Sequence, residues 1–374
     1  MAFMEIIFAV SLLFILYVYL GYPLLLLAAT ARKVLPSPPA GAYRPRVSLL
    51  IPVYNEEEVI ARKLENALAL DYPRQKLEIV VASDGSTDRT EELVRPFLSP
   101  TVRLVSCPEH RGKMGAINRA VSELSGEIVV FTDATAFFPP EALEILVGGF
   151  ADPAIGAVSG ALVLKEEAEA GGELPVDWYW RLEKFIRERE SRLYSGVGAT
   201  GAIYALRREL FRPLPEDTIL DDMLIPLAAV RRGRRILFAS RARAYEERFT
   251  DLRAEFRRKV RTLAGNYQVF ARAPWVFGSK IAFPMISHKL FRLLVPFALF
   301  GLLLSSLLGP PLLRPVFYLQ AVFYGLAAGG GIAIRRGRRP GKLFSLPLTF
   351  CLLNGAALEA FRVHFIGRKP PIWR

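Results

Sequence analysis

EIVVFTDAT, residues 127–135, decides the fold. An apolar run of β-branched and aromatic residues, preceded by Gly126 and ended by Asp133, is the pattern of a strand buried on both faces of a parallel sheet, and is too short for a helix. Asp133 then stands at the strand's C-terminal lip, where the loops of open α/β sheets part into a ligand crevice. LEIVVAS, residues 77–83, ends in the same way on Asp84, followed by Gly85-Ser86-Thr87-Asp88. Two carboxylates on neighbouring strand ends can hold a cation and the ligand that carries it.

Working outward, strand and helix patterns alternate. Residues 47–54 read as a strand, and Asn55 with Glu56, Glu57 and Glu58 as the acidic first turn of a helix running to about Leu70. A short helix to Phe97, a strand at 102–107 and a helix opened by His110-Arg111-Gly112-Lys113 follow. Residues 139–150 and 178–194 read as helices, 154–165 as a strand, and Asp217 to Asp222 as the opening of a helix ending near Gly233. Repeated βα units predict a mainly parallel, doubly wound sheet.

Apolar runs at both ends add a membrane component to the 374 residues. Residues 6–29 carry no charge and are long enough to cross a bilayer, and without a basic n-region or a small-residue cleavage site they read as a retained span. Residues 290–308, 316–334 and 346–363 are three further candidates. The net charge of +13 sits beside these runs, as in Arg32-Lys33 and Arg335 to Arg339, which places the intervening domain in the cytoplasm. With no aromatic platform or helix-turn-helix beside those charges, nucleic acid is not an expected partner; the lipid bilayer is. Asn354 and Glu359 suggest that the last apolar segment is interfacial or packed against protein. The expected divisions are 1–35, 36–256, 257–285 and 286–374: span, cytoplasmic domain, interfacial helix and C-terminal membrane region.

Two cysteines, Cys107 and Cys351, lie far apart, and three histidines lack HExxH spacing, which argues against a disulfide framework and a zinc hydrolase. The absence of GxxxxGK[ST], and of GxGxxG after the first strand, excludes P-loop kinases and ordinary dinucleotide dehydrogenases. Lys113 and Arg111 at a helix start can seat a phosphate, although a solvated lysine is an equally good reading. Trp178, Tyr179 and Trp180 can line an acceptor groove or simply pack. Gly196, Gly198 and Gly201 fit a backbone that closely approaches a ligand, or a plain loop. In FRRKVRTLAGNYQVF, Val260, Leu263, Tyr267 and Phe270 form an apolar stripe expected to lie on the membrane, with Arg258 and Arg261 facing headgroups or a diphosphate.

Taken together, VSLLIPVYNEE, ASDGSTD, HRGKMGAIN, FTDAT, GATGAIYALRREL and DTILDDMLIPL, in that order between apolar segments, resemble the membrane-integrated family-2 glycosyltransferases of GT-A fold, which include cellulose, hyaluronan and poly-N-acetylglucosamine synthases. The resemblance implies that Pro52, Tyr54, Asn55, Glu56 and Asp84 cradle the nucleotide, with Lys113 near the base or phosphates. Asp133 matches the first aspartate of the DxD that binds a divalent cation, Mg2+ or Mn2+, on the nucleotide sugar; Thr135 replaces the usual second acid. Asp222 matches the catalytic aspartate and Asp221 the glutamate before it, and Gly201, Asp221 and Trp178 fall to the acceptor side. Arg261 matches the arginine of QxxRW, whose glutamine and tryptophan are missing, and that loss counts against long-chain synthesis.

The implied activity is an inverting transfer from a nucleotide sugar, a UDP-sugar, to a lipid-linked saccharide or a growing exopolysaccharide, with Asp222 as base. An inactive homologue that binds nucleotide sugar as a scaffold is the rival reading, kept open by Thr135. A nucleotidyltransferase is disfavoured because the loop after the first strand is acidic, YNEEE, not glycine-rich and basic.

Overall fold

The computed structural model describes residues 2–33, 43–165, 176–247, 252–338 and 340–367. At its centre β1 (Val47–Val53) and β2 (Leu77–Asp84) lie side by side in parallel. All seven residues of β1 are buried, which removes both faces from water, and each large side chain so buried contributes about 1.5–3 kcal/mol. The seven strands run in the order β3-β2-β1-β4-β6-β5-β7, with β3 at Val102–Cys107, β4 at Ile128–Phe131, β5 at Ile155–Lys165, β6 at Tyr204–Arg207 and β7 at Arg235–Glu247. β4 pairs with β1 in parallel, so the winding reverses between them and the crevice at a reversal point opens beside β1 and β4.

β6 is antiparallel to both β4 and β5, and β7 returns parallel to β5. Phe131 pairs in register with Tyr204, and their rings stack at 4.7 Å. The antiparallel insertion has a functional consequence: the N-terminal end of β6 arrives at the rim where β4 ends. It therefore delivers the glycine turn 196–203 to Asp133. The 13-residue β7 is absent from the sequence reading because its apolar run is interrupted by arginines, which take the exposed positions Arg241 and Arg243 while Ala242 and Ala244 are buried.

The helices in chain order are α1 (Ala2–Thr30), α2 (Ile60–Leu68), α3 (Thr90–Val94), α4 (Lys113–Val121), α5 (Ala142–Gly148), α6 (Val176–Leu193), α7 (Asp221–Arg231), α8 (Leu252–Arg272), α9 (Ala282–Leu308), α10 (Pro311–Arg335) and α11 (Lys342–Ile366). Four of them, α1, α9, α10 and α11, are long and apolar enough to cross a membrane. The first helix of the sheet differs from the expectation. Asn55 adopts a left-handed φ of 54°, Glu56 N–H donates to Thr90 Oγ1 at 2.8 Å and Glu57 N–H to Asp88 Oδ2 at 3.1 Å. With those amides captured by the 84–90 loop, the glutamates form a turn and α2 begins only at Ile60.

The amphipathic helix α8 packs against the apolar helices. Ala264 and Tyr267 pack with Leu293 of α9 and Ala360 of α11, and Tyr267 meets Phe361 edge to face at 6.1 Å. Leu263, Tyr267 and Phe270 of the stripe are thus packed at least in part on protein. The polar pair in α11 has local partners: Asn354 Nδ2 donates to Phe350 O at 2.9 Å, and Arg362 is paired with Glu359 at 2.6 Å.

Candidate active site at the strand ends

The rim above β4 gathers groups from four elements. β4 ends just before Asp133, α4 starts on Lys113, the glycine turn brings Gly201, and α7 starts on Asp221 and Asp222. Lys113 Nζ donates to Asp133 Oδ1 at 2.8 Å and lies 3.3 Å from Asp221 Oδ2. Tyr204 OH donates to Asp221 Oδ2 at 3.2 Å, and Gly201 N–H donates to Asp222 Oδ2 at 3.0 Å. Ala199 N–H donates to the Asp222 carbonyl at 2.8 Å, tying the glycine turn to the start of α7.

Gly201 shows why that turn is small. A Cβ there would stand 3.1 Å from Asp133 Oδ2, 3.7 Å from Lys113 Nζ and 3.8 Å from Asp222 Oδ2. The position where a side chain would project is the point on which both carboxylates and the ammonium converge.

The electrostatics divide the acids into two kinds. Burial works against the Asp133 charge, but Lys113, then Lys63 and Arg261, hold its carboxyl below the usual range. Burial likewise opposes the Lys113 charge, yet Asp133 and Asp221 raise its pKa. Asp222 goes the other way: loss of water and then the Asp221 charge push it up to about 6. A carboxylate with that pKa, beside one held ionised, has the character of a base. Glu56 is raised to about 6 by burial and then by Asp133.

Two groups in this neighbourhood are missing from the sequence reading. Lys63 is fully buried under the Asp133 loop, donates to Thr132 Oγ1 at 2.9 Å and to the Ala136 carbonyl, and is lowered by burial to about 7. Its signal was present: Lys63 falls on the apolar stripe of α2 with Ile60, Leu64 and Ala67, where a charge needs a reason. Glu246 near the end of β7 is raised to about 7 by burial and then by Asp133; it was missed with its strand.

The expected donor cradle is built differently from its outline. Asp84 has a side chain 0% exposed, and it accepts from Arg111 N–H at 2.9 Å and Gly112 N–H at 2.7 Å while His110 Nδ1 lies 2.7 Å from Oδ2. Asp84 thus holds the 110–112 turn. Gly112, at φ 87°, permits that turn where an L side chain would be strained. Pro52 is buried inside β1. Tyr54 stacks on His110 at 3.8 Å, and Asn55 Oδ1 accepts from Thr87 N–H at 2.8 Å. Arg258 is paired with Glu255 at 2.7 Å. Trp178 lies on α6, but its side chain is outside the described residues.

Among the described residues no group of three His, Cys, Asp or Glu forms a metal cage, and Thr135 is exposed. The donor set nevertheless suits a hard divalent cation, because such ions are commonly held by one or two carboxylates together with substrate phosphates. Asp133 is 37% exposed and aims Oδ2 at the gap left by Gly201, which provides that one carboxylate.

Comparison with known proteins gives a match of residues 48–214 to the family model Glycosyl transferase family 2. Beta-monoglucosyldiacylglycerol synthase of Synechocystis sp. is 28% identical over 305 residues, covering 75% of this chain and 63% of that protein. Poly-beta-1,6-N-acetyl-D-glucosamine synthase of Staphylococcus aureus is 27% identical over 232 residues, covering 60% of this chain and 56% of that protein. The chain thus spans less than two thirds of the length of these curated relatives. Among solved structures, a mannosyltransferase from Pyrobaculum calidifontis in complex with GDP-Man and Mn2+ superposes with a TM-score of 0.74 at 28% identity, covering 96% of this chain and 98% of that one. The expected GT-A type architecture, with apolar helices at both ends, is the one observed.

Proposed function

We infer that this chain, which carries a family 2 glycosyltransferase domain, is a membrane-embedded, inverting glycosyltransferase that moves a sugar from a nucleoside-diphosphate donor to an acceptor hydroxyl. The observation that carries the reading is the convergence of Lys113, Asp133, Asp222 and the Gly201 backbone on one point at the sheet's rim.

The donor's nucleoside lies over the 54–56 turn, beside the Tyr54–His110 stack, with its diphosphate toward Lys113 and Asp133. Asp133 would hold a divalent cation with the diphosphate oxygens, and that cation when bound offsets the negative charge growing on the leaving group. Lys113 already stands at Asp133 and supplies a fixed positive charge at the same place. The acceptor oxygen forms its bond to the anomeric carbon as the bond to the diphosphate breaks. Its proton passes to Asp222, and the electron pair leaves with the nucleoside diphosphate. One displacement from the opposite face inverts the anomeric centre.

The catalytic domain faces the cytoplasm, with Arg32, Lys33 and the 335–338 arginines marking that side. The uridine expectation rests on the family resemblance, whereas the solved neighbour holds GDP-Man, so the test runs both bases. Purified protein is assayed for nucleoside diphosphate release from UDP- and GDP-sugars with Mn2+ and a membrane-lipid extract, and product anomers are assigned by NMR. Release with inversion supports the reading; no release from any donor, or retention, contradicts it.

A further inference from the structure

The loop that carries Asp133 lies outside any helix or strand, and α2 holds it from beneath. Lys63, 1% exposed, sends Nζ to Thr132 Oγ1 at 2.9 Å and to the Ala136 carbonyl, with the Phe138 ring centred 4.5 Å away. Asn66, three residues on and so on the same side of the helix, pairs twice with Phe138: Nδ2 donates to the Phe138 carbonyl and Oδ1 accepts from the Phe138 N–H, both at 2.8 Å. Ala136 N–H reaches back to the Asp133 carbonyl at 3.2 Å. Two side chains of α2 thus grip the loop at 132, 136 and 138, and Asp133 stands between the grips.

Thr132 passes the grip on. It is 1% exposed, accepts from Lys63, and donates its hydroxyl proton to the Ala202 carbonyl at 2.9 Å. Ala202 follows Gly201, whose N–H holds Asp222. A chain of contacts therefore runs from α2 through the Asp133 loop to the start of α7, joining the carboxylate assigned to the leaving group with the one assigned to the acceptor. Two N–H bonds are enough for this grip, so it holds whether or not the Lys63 amine is charged. Stability alone would be served as well by an apolar side chain of similar length, since a buried amine costs free energy that its bonds must offset.

We propose that Lys63 and Asn66 are positioning residues for the transfer: through the 132–138 loop and Ala202 they set Asp133 against Lys113 and Gly201 against Asp222. Both act through the loop and not at the reacting atoms. The inference rests on the glycosyltransferase reading for Asp133 and Asp222, and it names what keeps the two in register.

Two readouts separate this role from plain stability and from the reading beneath it. Full-length Lys63→Met in maltoside micelles is compared with wild type by amide hydrogen exchange, without donor. The expected result is exchange about tenfold faster at 133–138 and 199–203, with β1 and β2 unchanged. With whichever of the UDP- and GDP-sugars the wild type uses, kcat should fall about tenfold per folded molecule while donor KM stays within about twofold. In an Asp133→Asn background the same substitution should cost at most about threefold, because one of the groups it positions is already lost. Should Lys63→Met fail to fold, Asn66→Ala is held to the same readings, with a loss of about threefold in kcat. Exchange raised evenly over the sheet, an unchanged kcat, or equal losses in the two backgrounds each overturns the proposal. If the wild type turns over no donor, the glycosyltransferase reading has failed, and faster exchange confined to the two segments still supports the grip.

Discussion

Asp84 and Asp133 close two parallel strands, β2 and β4, that flank β1 on either side, with the same local signature of an apolar run closing on an aspartate, yet the structure gives them different work. Asp84 is sealed by the 110–112 turn and its side chain has no exposed area; burial raises its pKa despite two backbone donors. Asp133 keeps 37% of its side chain open, is held ionised with the help of Lys113, and faces a gap left by a glycine. A carboxylate's availability is set by the loop that arrives above it. β3 leads into a loop that folds back onto Asp84, whereas the turn before β6 brings to Asp133 a glycine, Gly201, with no side chain to cover it.

The contrast can be broken by substitution. Asp222→Asn should lower nucleoside diphosphate release about 10³-fold with the fold retained, because a positioned base contributes roughly 10²–10⁴. Asp133→Asn should cost about 10²–10³ through lost charge stabilisation at the leaving group. Circular dichroism beside the rate assay separates both from unfolding, and a wild-type rate in either variant ends the role given to that residue.

The pH profile sharpens the same point. Asp222 works ionised and its pKa is raised to about 6, so kcat/KM should be flat above that value and fall about tenfold per unit below it. An ordinary carboxylate would hold the rate down to about pH 4. Gly201→Ala places a methyl 3.1 Å from Asp133 Oδ2 and should cost about tenfold in kcat/KM with little change in Tm. Asp84→Ala should do the reverse: it strands one buried and one part-buried N–H donor and costs about 1–3 kcal/mol in denaturant unfolding, with a smaller loss of rate per folded molecule.

The parallel half of the sheet was legible because each of its strands is an apolar run ended by turn chemistry, and that periodicity is local. β7 was not, because beyond the short run at 236–239 arginines and alanines alternate, and its partner residues in β5 lie about 80 residues away in the chain, on the order of half a domain. Lys113, Asp133 and Asp222 were found through motif and type, and the structure brings them together. Lys63 and Glu246 escaped because their roles arise from burial against Asp133, a tertiary fact, although a lysine on the apolar stripe of α2 was a usable clue. The helix expected at Asn55 failed for a similar reason: its amides are claimed by side chains of the 84–90 loop, whose distance in sequence hides them.

The most direct measurement is a structure of the full-length protein with Mn2+ and a non-hydrolysable nucleotide sugar. The account predicts the diphosphate between Lys113 and Asp133, the anomeric carbon facing Asp222 across the Gly201 gap, and Asp84 still bonded to the Arg111 and Gly112 amides. A diphosphate seated away from Lys113 and Asp133, or an anomeric carbon turned from Asp222, would contradict it.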